Sequence, residues 1–194
     1  MRLQLALSVT SAALAVANPL AKRAAIDDCL KAANVPVDTK GSTDWNNDVR
    51  AFNQRIQYTP VAIAVVKNAE QVAAAIACGA KNGVKVNAKS GGHSYASFGL
   101  GGENGHLIVQ LDRMSKVTVD SSTKIATVEA GSRLGHVATV LYNNGKRAFS
   151  HGTCPGCVFH PCLSCIVLTE SELVLVDTPS TAVSASARTR TVWP

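Results

Sequence analysis

The sequence predicts an α+β domain with a mixed β-sheet flanked by helices, on three observations. Residues 60–66 form a continuous apolar run of strand length, which is typical of a strand buried on both faces. A helical segment and a second strand at residues 84–88 follow, and such a strand–helix–strand unit is expected to cross over right-handedly. Residues 117–120 and 125–129 then alternate apolar and polar side chains around a polar turn, which is the pattern of a β-hairpin.

The helices are predicted from apolar residues that recur every three or four positions. The first lies within residues 24–38 and is ended by Pro36, because proline does not continue a helix. The second follows Asn68, whose side chain can cap the first turn together with Gln71, as in a capping box. The third follows a turn at residues 130–132. Their apolar faces comprise Ile26, Cys29, Leu30 and Ala33 in the first helix, Val72, Ala75, Ile76 and Gly79 in the second, and Leu134, Val137, Ala138 and Leu141 in the third.

Polar and short apolar segments complete the predicted domain. Residues 41–54 are polar and predict a loop. Residues 106–111 predict a further strand, and residues 148–150 predict a short strand before the sequence His-Gly-Thr-Cys-Pro-Gly at 151–156. With 194 residues, of which 46% are hydrophobic, the chain can bury one sizeable core, so about one domain is expected.

The first residues predict a targeting segment. A positive Met-Arg start precedes a mostly apolar stretch, which ends in the small-residue cleavage site Ala-Val-Ala and predicts a signal peptide at residues 1–17. A Lys-Arg pair follows, so residues 18–23 predict a pro-peptide. The alternative, an ordinary buried N-terminal helix, fits the terminal position poorly. Because no later stretch is long enough to span a bilayer, we expect a secreted, extracellular protein without a membrane partner.

Six cysteines in a secreted chain would meet an oxidising compartment, where disulfides are stable. Cys29 and Cys78 both fall on predicted helices and are expected to pair, which would tie the N-terminal helix to the strand–helix–strand unit. Two free buried cysteines are the alternative.

The charge of the chain is moderately basic and dispersed. Lys and Arg number 19 against 13 Asp and Glu, which gives a formal net charge of +6. No basic stripe or nucleic-acid-binding module accompanies this excess, so no nucleic-acid partner is expected. A solvated surface with mild attraction for anions accounts for the charge.

A glycine-containing loop follows the predicted strand at 84–88. Residues 89–95 read Lys-Ser-Gly-Gly-His-Ser-Tyr, and a second glycine-rich stretch lies at residues 98–102. Adjacent glycines allow a tight turn and close approach of a ligand, and successive N–H groups in such a turn can bind a diphosphate. His93 stands beside it as a nucleophilic imidazole. A surface loop with an incidental histidine is the alternative.

Further motifs follow in a recognisable order. They are Ser-Gly-Gly-His-Ser-Tyr at 90–95, Leu-Asp-Arg-Met at 111–114, Val-Glu-Ala-Gly-Ser-Arg-Leu-Gly at 128–135 and His-Gly-Thr-Cys-Pro-Gly at 151–156. On these motifs, residues 56–156 resemble the N-terminal part of the FAD-binding domain of the vanillyl-alcohol-oxidase superfamily, also called the PCMH-type domain. The similarity is greatest to the berberine-bridge-enzyme and glucooligosaccharide-oxidase branch, and it covers roughly half of the chain.

The resemblance implies FAD held by two covalent bonds. His93 corresponds to the histidine bonded to the flavin 8α-methyl carbon, and Cys154 to the cysteine bonded to ring carbon 6. An imidazole nitrogen and a thiolate are nucleophiles suited to an electron-poor flavin ring. Backbone N–H groups of the Gly-Gly-His-Ser turn are expected to cradle the diphosphate. The full expected cofactor-binding set is Ser90, Gly91, Gly92, His93, Ser94, Tyr95, Gly131, Ser132 and Cys154.

The resemblance also implies an activity. Full-length relatives are oligosaccharide or alcohol oxidases, in which a hydride passes from a sugar or alcohol to the flavin and then to oxygen. The catalytic base and substrate pocket of those relatives lie beyond the end of this chain, so no catalytic residue is assigned. We therefore expect a flavin-binding part that is inactive alone. The alternative is a non-catalytic secreted domain that keeps the fold without flavin.

The sequence departs from the family pattern after Gly156. The family continues with a Val-Gly-x-Gly-Gly-His type of stretch, whereas residues 157–165 read Cys-Val-Phe-His-Pro-Cys-Leu-Ser-Cys, and all 14 glycines lie at or before Gly156. We therefore expect the flavin domain at residues 24–156 to be incomplete and residues 157–194 to be a divergent, disordered tail. A retained intron or a frameshift in the gene model would explain the change.

A zinc site is the alternative interpretation of the cysteine-rich segment. Two Cys-x-x-Cys pairs begin at Cys154 and Cys162, with His160 between them. Zinc-binding pairs are usually separated by a longer loop, so the spacing here is cramped. No metal site is expected, and adventitious disulfides or disorder are favoured instead.

Overall fold

The computed structural model describes residues 19–149, 155–156, 170–174, 176–177 and 187–189. The helices are α1 (Pro19–Ala32), α2 (Trp45–Asp48), α3 (Ala69–Lys81) and α4 (Leu134–Asn143). The strands are β1 (Val37–Asp38), β2 (Ala62–Val65), β3 (Val86–Lys89), β4 (Leu107–Gln110), β5 (Val117–Asp120), β6 (Ile125–Glu129), β7 (Arg147–Ala148), β8 (Glu170–Val174), β9 (Val176–Asp177) and β10 (Ala187–Thr189).

The first sheet has the strand order β1-β2-β4-β3. Strands β2 and β3 both run parallel to β4, and β1 is antiparallel to β2. In this register Val65 and Lys89 both pair with Gln110, so the three parallel strands end at the same level. The loops that follow them emerge at one edge of the sheet, and that edge is where open α/β sheets bind ligands.

The second sheet is antiparallel, with the order β10-β8-β6-β5. Val117 pairs with Val128 and Asp120 with Ile125, which confirms the predicted hairpin. Strands β7 and β9 form a separate pair. The first sheet, with parallel and antiparallel pairs and flanking helices, confirms the predicted mixed sheet. The hairpin belongs to the second sheet, which the sequence did not separate because alternating apolar residues identify a strand but not its partner.

The core lies on both faces of the first sheet. Helices α1 and α3 cover one face, where Leu30 and Ala75 pack with Ala64 and other small and branched residues. On the opposite face Trp45 packs against Ile63 and Ile108. All of these residues are buried, so the apolar run at residues 60–66 is buried on both faces, as predicted.

Helix boundaries follow local signals closely. Asn68 Oδ1 accepts a hydrogen bond from the Gln71 N–H at 2.9 Å, which confirms the predicted cap of α3. Helix α1 differs from the prediction because it begins at Pro19 and contains the Lys-Arg pair. Within it, Arg23 Nε donates to the Val61 carbonyl oxygen at 3.0 Å. The signal peptide at residues 1–17 lies outside the described residues, and the pro-peptide cut remains a prediction.

The segment predicted to be a divergent tail contains the short strands β8, β9 and β10 among its described residues. Strand β8 pairs with β6 of the hairpin, with Ser171 beside Val128. The boundary at residue 156 remains a prediction. The four cysteines of the zinc alternative and His160 lie outside the described residues.

The structure joins Cys29 of α1 to Cys78 of α3, which is the predicted disulfide. The bond links residues 49 positions apart and fastens α1 against the helix that packs on the first sheet. Within the parts of the chain that the structure describes, no helix is long and apolar enough to span a membrane.

We expect the double substitution Cys29→Ser and Cys78→Ser to lower the free energy of unfolding by about 2–4 kcal/mol, because the unfolded chain regains the entropy of an open loop. Urea unfolding under non-oxidising and non-reducing conditions measures this difference. Reductant should move the wild-type midpoint down to that of the variant. Equal midpoints without reductant would contradict the predicted role of the bond.

Candidate functional site

Three sequence motifs meet at the edge where the parallel strands end. Ser90 Oγ donates a hydrogen bond to the Ala130 carbonyl oxygen at 2.6 Å, which joins the loop after β3 to the loop after β6. The Gly131 N–H donates to the Met114 carbonyl oxygen at 2.8 Å and so adds the segment after β4. The structure therefore brings together motifs that are separated along the chain.

Gly131 allows the closest of these contacts. A Cβ atom at this position would lie 2.0 Å from the Leu111 carbonyl oxygen and 2.7 Å from that of Met114, so only glycine fits. The neighbouring Ser132 is completely buried, and its Oγ has no hydrogen-bond partner among the described residues. The predicted cofactor contacts of Gly131 and Ser132 remain predictions, and both residues lie at the junction of the motifs.

The turn at residues 91–94 presents backbone donors. Gly92 has a φ of +68°, a conformation that glycine adopts readily, and a Cβ there would lie 2.8 Å from Lys89 Cε. Ser94 Oγ accepts from the Phe98 N–H at 3.2 Å, which braces the far end of the turn. Within the described ranges, none of the four N–H groups of residues 91–94 has an acceptor. These groups are available to an anionic ligand.

An aromatic side chain contacts the histidine of this turn. The ring centroid of Phe52 lies 5.0 Å from that of His93 and 5.3 Å from that of Tyr95, the second contact being edge-on. Asn53 Nδ2 donates to the Tyr95 carbonyl oxygen at 2.9 Å. His93 itself is exposed. The segment around Phe52 therefore orients the imidazole while leaving it accessible.

The turn opens into a cleft of about 440 Å³. Four of the predicted site residues line it, and Ser94, Tyr95, Gly131 and Ser132 lie outside its lining. Other lining residues come from the segment at 47–54, which the sequence predicts as an ordinary loop. The lining residues are Asn47, Asp48, Arg50, Ala51, Phe52, Gln54, Lys89, Ser90, Gly91, Gly92, His93, Gln110 and Arg133.

Lys89 is a buried cation at the wall of the cleft, with 7% of its surface exposed. Its Nζ donates to the Asp48 carbonyl oxygen. Burial lowers the pKa of the Lys89 ammonium, while the nearby Asp48 and Asp112 carboxylates oppose that shift. The sequence offered one signal for this residue, its place between a strand and the Gly-Gly turn.

Asp48 is the one carboxylic acid among the described residues that line the cleft. Burial raises its pKa to about 6, the hydrogen bond with Asp38 adds to the rise, and the Lys89 charge opposes it. Asp38, Asp48 and Asp112 also line an adjoining cavity of about 350 Å³. In the described part of the chain, no group of three His, Cys, Asp or Glu residues is arranged to hold a metal ion.

Comparison with known proteins follows the same part of the chain. The family model described as "FAD binding domain" matches residues 60–159. A xylooligosaccharide oxidase of Thermothelomyces thermophilus is 62% identical over 154 residues, which cover 79% of this chain and 31% of that protein.

Two solved structures show the same fold. A xylooligosaccharide oxidase from Myceliophthora thermophila C1, in complex with xylobiose, is 63% identical with a TM-score of 0.67, over 69% of this chain and 28% of that one. A glucooligosaccharide oxidase from Acremonium strictum, described as having a 6-S-cysteinyl, 8α-N1-histidyl FAD, is 48% identical with a TM-score of 0.67 over the same shares. The chain thus spans less than a third of the length of these relatives.

We expect Gly131→Ala to lower the free energy of unfolding by about 1–3 kcal/mol or more, because the added methyl group would overlap the Leu111 carbonyl oxygen. Urea unfolding measures the loss. Gly156→Ala is the matched control, since a Cβ at that glycine meets no atom of the described residues within 4 Å. An unfolding midpoint for Gly131→Ala equal to that of the control would contradict this prediction, because the backbone would then accommodate the methyl group without loss of stability.

Asp48 predicts a pH dependence of stability. Since its pKa is raised to about 6, the native state holds the Asp48 proton over a pH range in which the unfolded chain has lost it. The contribution of Asp48 to stability therefore falls as the pH rises from about 4 to about 6. Asp48→Asn should remove that fall. The free energy of unfolding of the variant, measured in urea, should therefore rise relative to that of the wild type between pH 4.5 and pH 7.

Asp28→Asn, which removes an exposed carboxylate from α1, controls for the loss of one charge. A difference between Asp48→Asn and wild type that is constant across this pH range would contradict the assignment.

Proposed function

The chain belongs to the FAD binding domain family within the vanillyl-alcohol-oxidase, or PCMH-type, superfamily, and we propose that it is the flavin-attaching part of a secreted carbohydrate oxidase. The observation that carries the proposal is the turn at residues 91–94 beside an accessible His93, because the four N–H groups of this turn have no acceptor among the described residues. The diphosphate of FAD is a ligand of the right charge for such a turn.

The cleft suits the cofactor in two further respects. Gly92 and its neighbour leave the backbone open to close approach, and a Cβ at Gly92 would crowd Lys89. Buried polar atoms of Gln110 and Arg133 lack partners among the described residues and can bond to a polar ligand. When bound, FAD supplies hydride acceptance and reaction with oxygen. The residues of this chain bind and orient it.

His93 provides the first covalent bond, to the 8α-methyl carbon of the flavin. The imidazole nitrogen would hold the flavin by replacing one hydrogen of the methyl group. The N–H proton and the methyl proton would leave to solvent, the flavin would take up the two electrons of the C–H bond, and oxygen would remove them again. The ring of Phe52, whose centroid lies 5.0 Å from that of His93, packs beside the imidazole and limits its orientations on that side. This restriction lowers the entropy that His93 must lose before it can attack.

Cys154 provides the second bond, to ring carbon 6, and it lies outside the described residues. The support is the resemblance of residues 151–156 and the double linkage in the name of the glucooligosaccharide oxidase structure. The described neighbours of this segment approach α4, because the Gly135 N–H donates to the Pro155 carbonyl oxygen at 2.9 Å. That contact places Pro155 beside the first turn of α4, which Arg133 immediately precedes.

The substrate class proposed for the whole protein is an oligosaccharide or a related alcohol. The xylobiose complex of a relative that is 63% identical favours a short sugar chain. Secretion is supported by the N-terminal pattern of residues 1–17 and by the disulfide between Cys29 and Cys78, a bond typical of oxidising compartments.

The covalent attachment can be tested by acid precipitation after incubation of the purified chain with FAD. The wild type should retain yellow flavin absorbance in the precipitate. Each of His93→Ala and Cys154→Ala should keep acid-stable flavin through the remaining bond, and the double variant should lose it while still binding FAD reversibly. His136→Ala, which alters an exposed histidine of α4 outside the cleft, is the matched control.

Two results would overturn the proposal. Absence of any FAD binding by the folded wild-type chain would remove the function itself. Acid-stable flavin in the double variant at the wild-type level would assign the covalent bonds to other residues.

A further inference from the structure

The cleft beside the Gly-Gly-His turn has more positive than negative side chains. Arg50, Lys89 and Arg133 line it together with one carboxylate, Asp48. When Asp48 is ionised, these four side chains carry a net charge of +2, from three cations and one anion. A concave, positively charged wall of this kind favours an anionic ligand.

Arg133 is the cation whose hydrogen bonding is incomplete. Its Nη1 atom is shielded from solvent and has no acceptor in the described part of the chain. A buried donor left without an acceptor costs free energy, and more so when it belongs to a charged group. A ligand oxygen at this position would remove that cost.

Lys89 has more N–H donors than it has acceptors among the described residues. Its ammonium group carries three N–H bonds, and among the described residues the Asp48 carbonyl oxygen is its hydrogen-bond acceptor. With 7% of its surface exposed, the side chain is largely excluded from water. An anion would therefore interact with it more strongly than at an open surface.

Rigid elements position both side chains. Lys89 is the last residue of β3 and pairs in register with Gln110 of β4. Arg133 immediately precedes α4, and two residues before it Gly131 is fixed against Leu111 and Met114. The two cations therefore stand at set positions in the lining of the cleft.

We propose that Arg133 and Lys89 form a side-chain anion site that binds the diphosphate of FAD, together with the N–H groups of residues 91–93. This inference rests on the proposed function and deepens it. The planar guanidinium of Arg133 can donate to two phosphate oxygens at once, and Lys89 acts as a point charge. Gln110 Oε1 is also buried and without a partner within the described ranges, and it could accept a hydrogen bond from a ligand hydroxyl.

The site distinguishes flavins by their charged half. Riboflavin has the same ring and ribityl chain as FAD but no phosphate, so it cannot use Arg133 or Lys89. Free pyrophosphate has the charge without the ring. These two probes separate the anion site from the remainder of the flavin site.

Isothermal titration of the full chain with FAD, riboflavin and inorganic pyrophosphate tests the proposal. Every protein titrated, the one with wild-type Lys89 and Arg133 included, also carries His93→Ala and Cys154→Ala, so that the flavins bind reversibly. Arg133→Gln should weaken FAD and pyrophosphate binding by about tenfold or more, the loss expected for one charge-assisted hydrogen bond, and leave riboflavin affinity unchanged. Lys89→Met should act in the same direction. Lys31→Gln, which removes an exposed cation from α1, is the charge-matched control and should bind all three ligands as the wild type does.

Arg133→Lys is the control for misfolding of the glutamine variant. It keeps the positive charge, so it should recover part of the FAD affinity. The FAD affinity of the wild type should also fall more steeply with added salt than that of Arg133→Gln, which a purely structural role would not produce. FAD and pyrophosphate affinities of Arg133→Gln within twofold of wild type would overturn the anion site. If the protein with wild-type Lys89 and Arg133 bound neither riboflavin nor FAD, the proposed function would be overturned instead. The pyrophosphate affinities of that protein and of Arg133→Gln would still test the anion site.

Discussion

The central position of β4 is the constraint on which the rest of the structure depends. Leu107, Ile108 and Val109 are buried, two of them towards the helices and one towards Trp45. Parallel neighbours on both sides take the register of β4, so their last residues align with Gln110. The ligand-binding edge is a consequence of this alignment, since each following loop begins at the same height.

The sequence predicted those features that local chemistry specifies. The cap at Asn68, the hairpin around residues 121–124 and the apolar run of β2 each have their cause within a few residues of chain. The disulfide was predictable because two cysteines fell on adjacent helices of a chain expected to be secreted. The Gly-Gly-His turn was recognisable by its motif.

The remainder of the site depends on contacts between residues that are far apart in the sequence, and no local pattern predicts such contacts. Lys89 meets the Asp48 carbonyl oxygen across 41 positions of sequence, and Phe52 reaches His93 from a segment with no periodic apolar residues. Helix α2 was missed for the same reason, as its single buried residue, Trp45, gives no repeat to detect. The division of the strands between sheets likewise depends on pairing partners, which alternation does not specify.

Helix α1 has a consequence for the order of events during maturation. The Lys-Arg pair lies inside this helix, and the Arg23 side chain is bonded to the Val61 carbonyl oxygen at the start of β2. Proteolysis within a folded domain requires local opening, because cleavage occurs at accessible and flexible backbone. Any processing after residue 23 must therefore precede the docking of α1, or wait for its release. In the folded chain the guanidinium of Arg23 is held by its hydrogen bond to Val61, so a protease that recognises a basic pair would have to break this bond before it could bind the side chain.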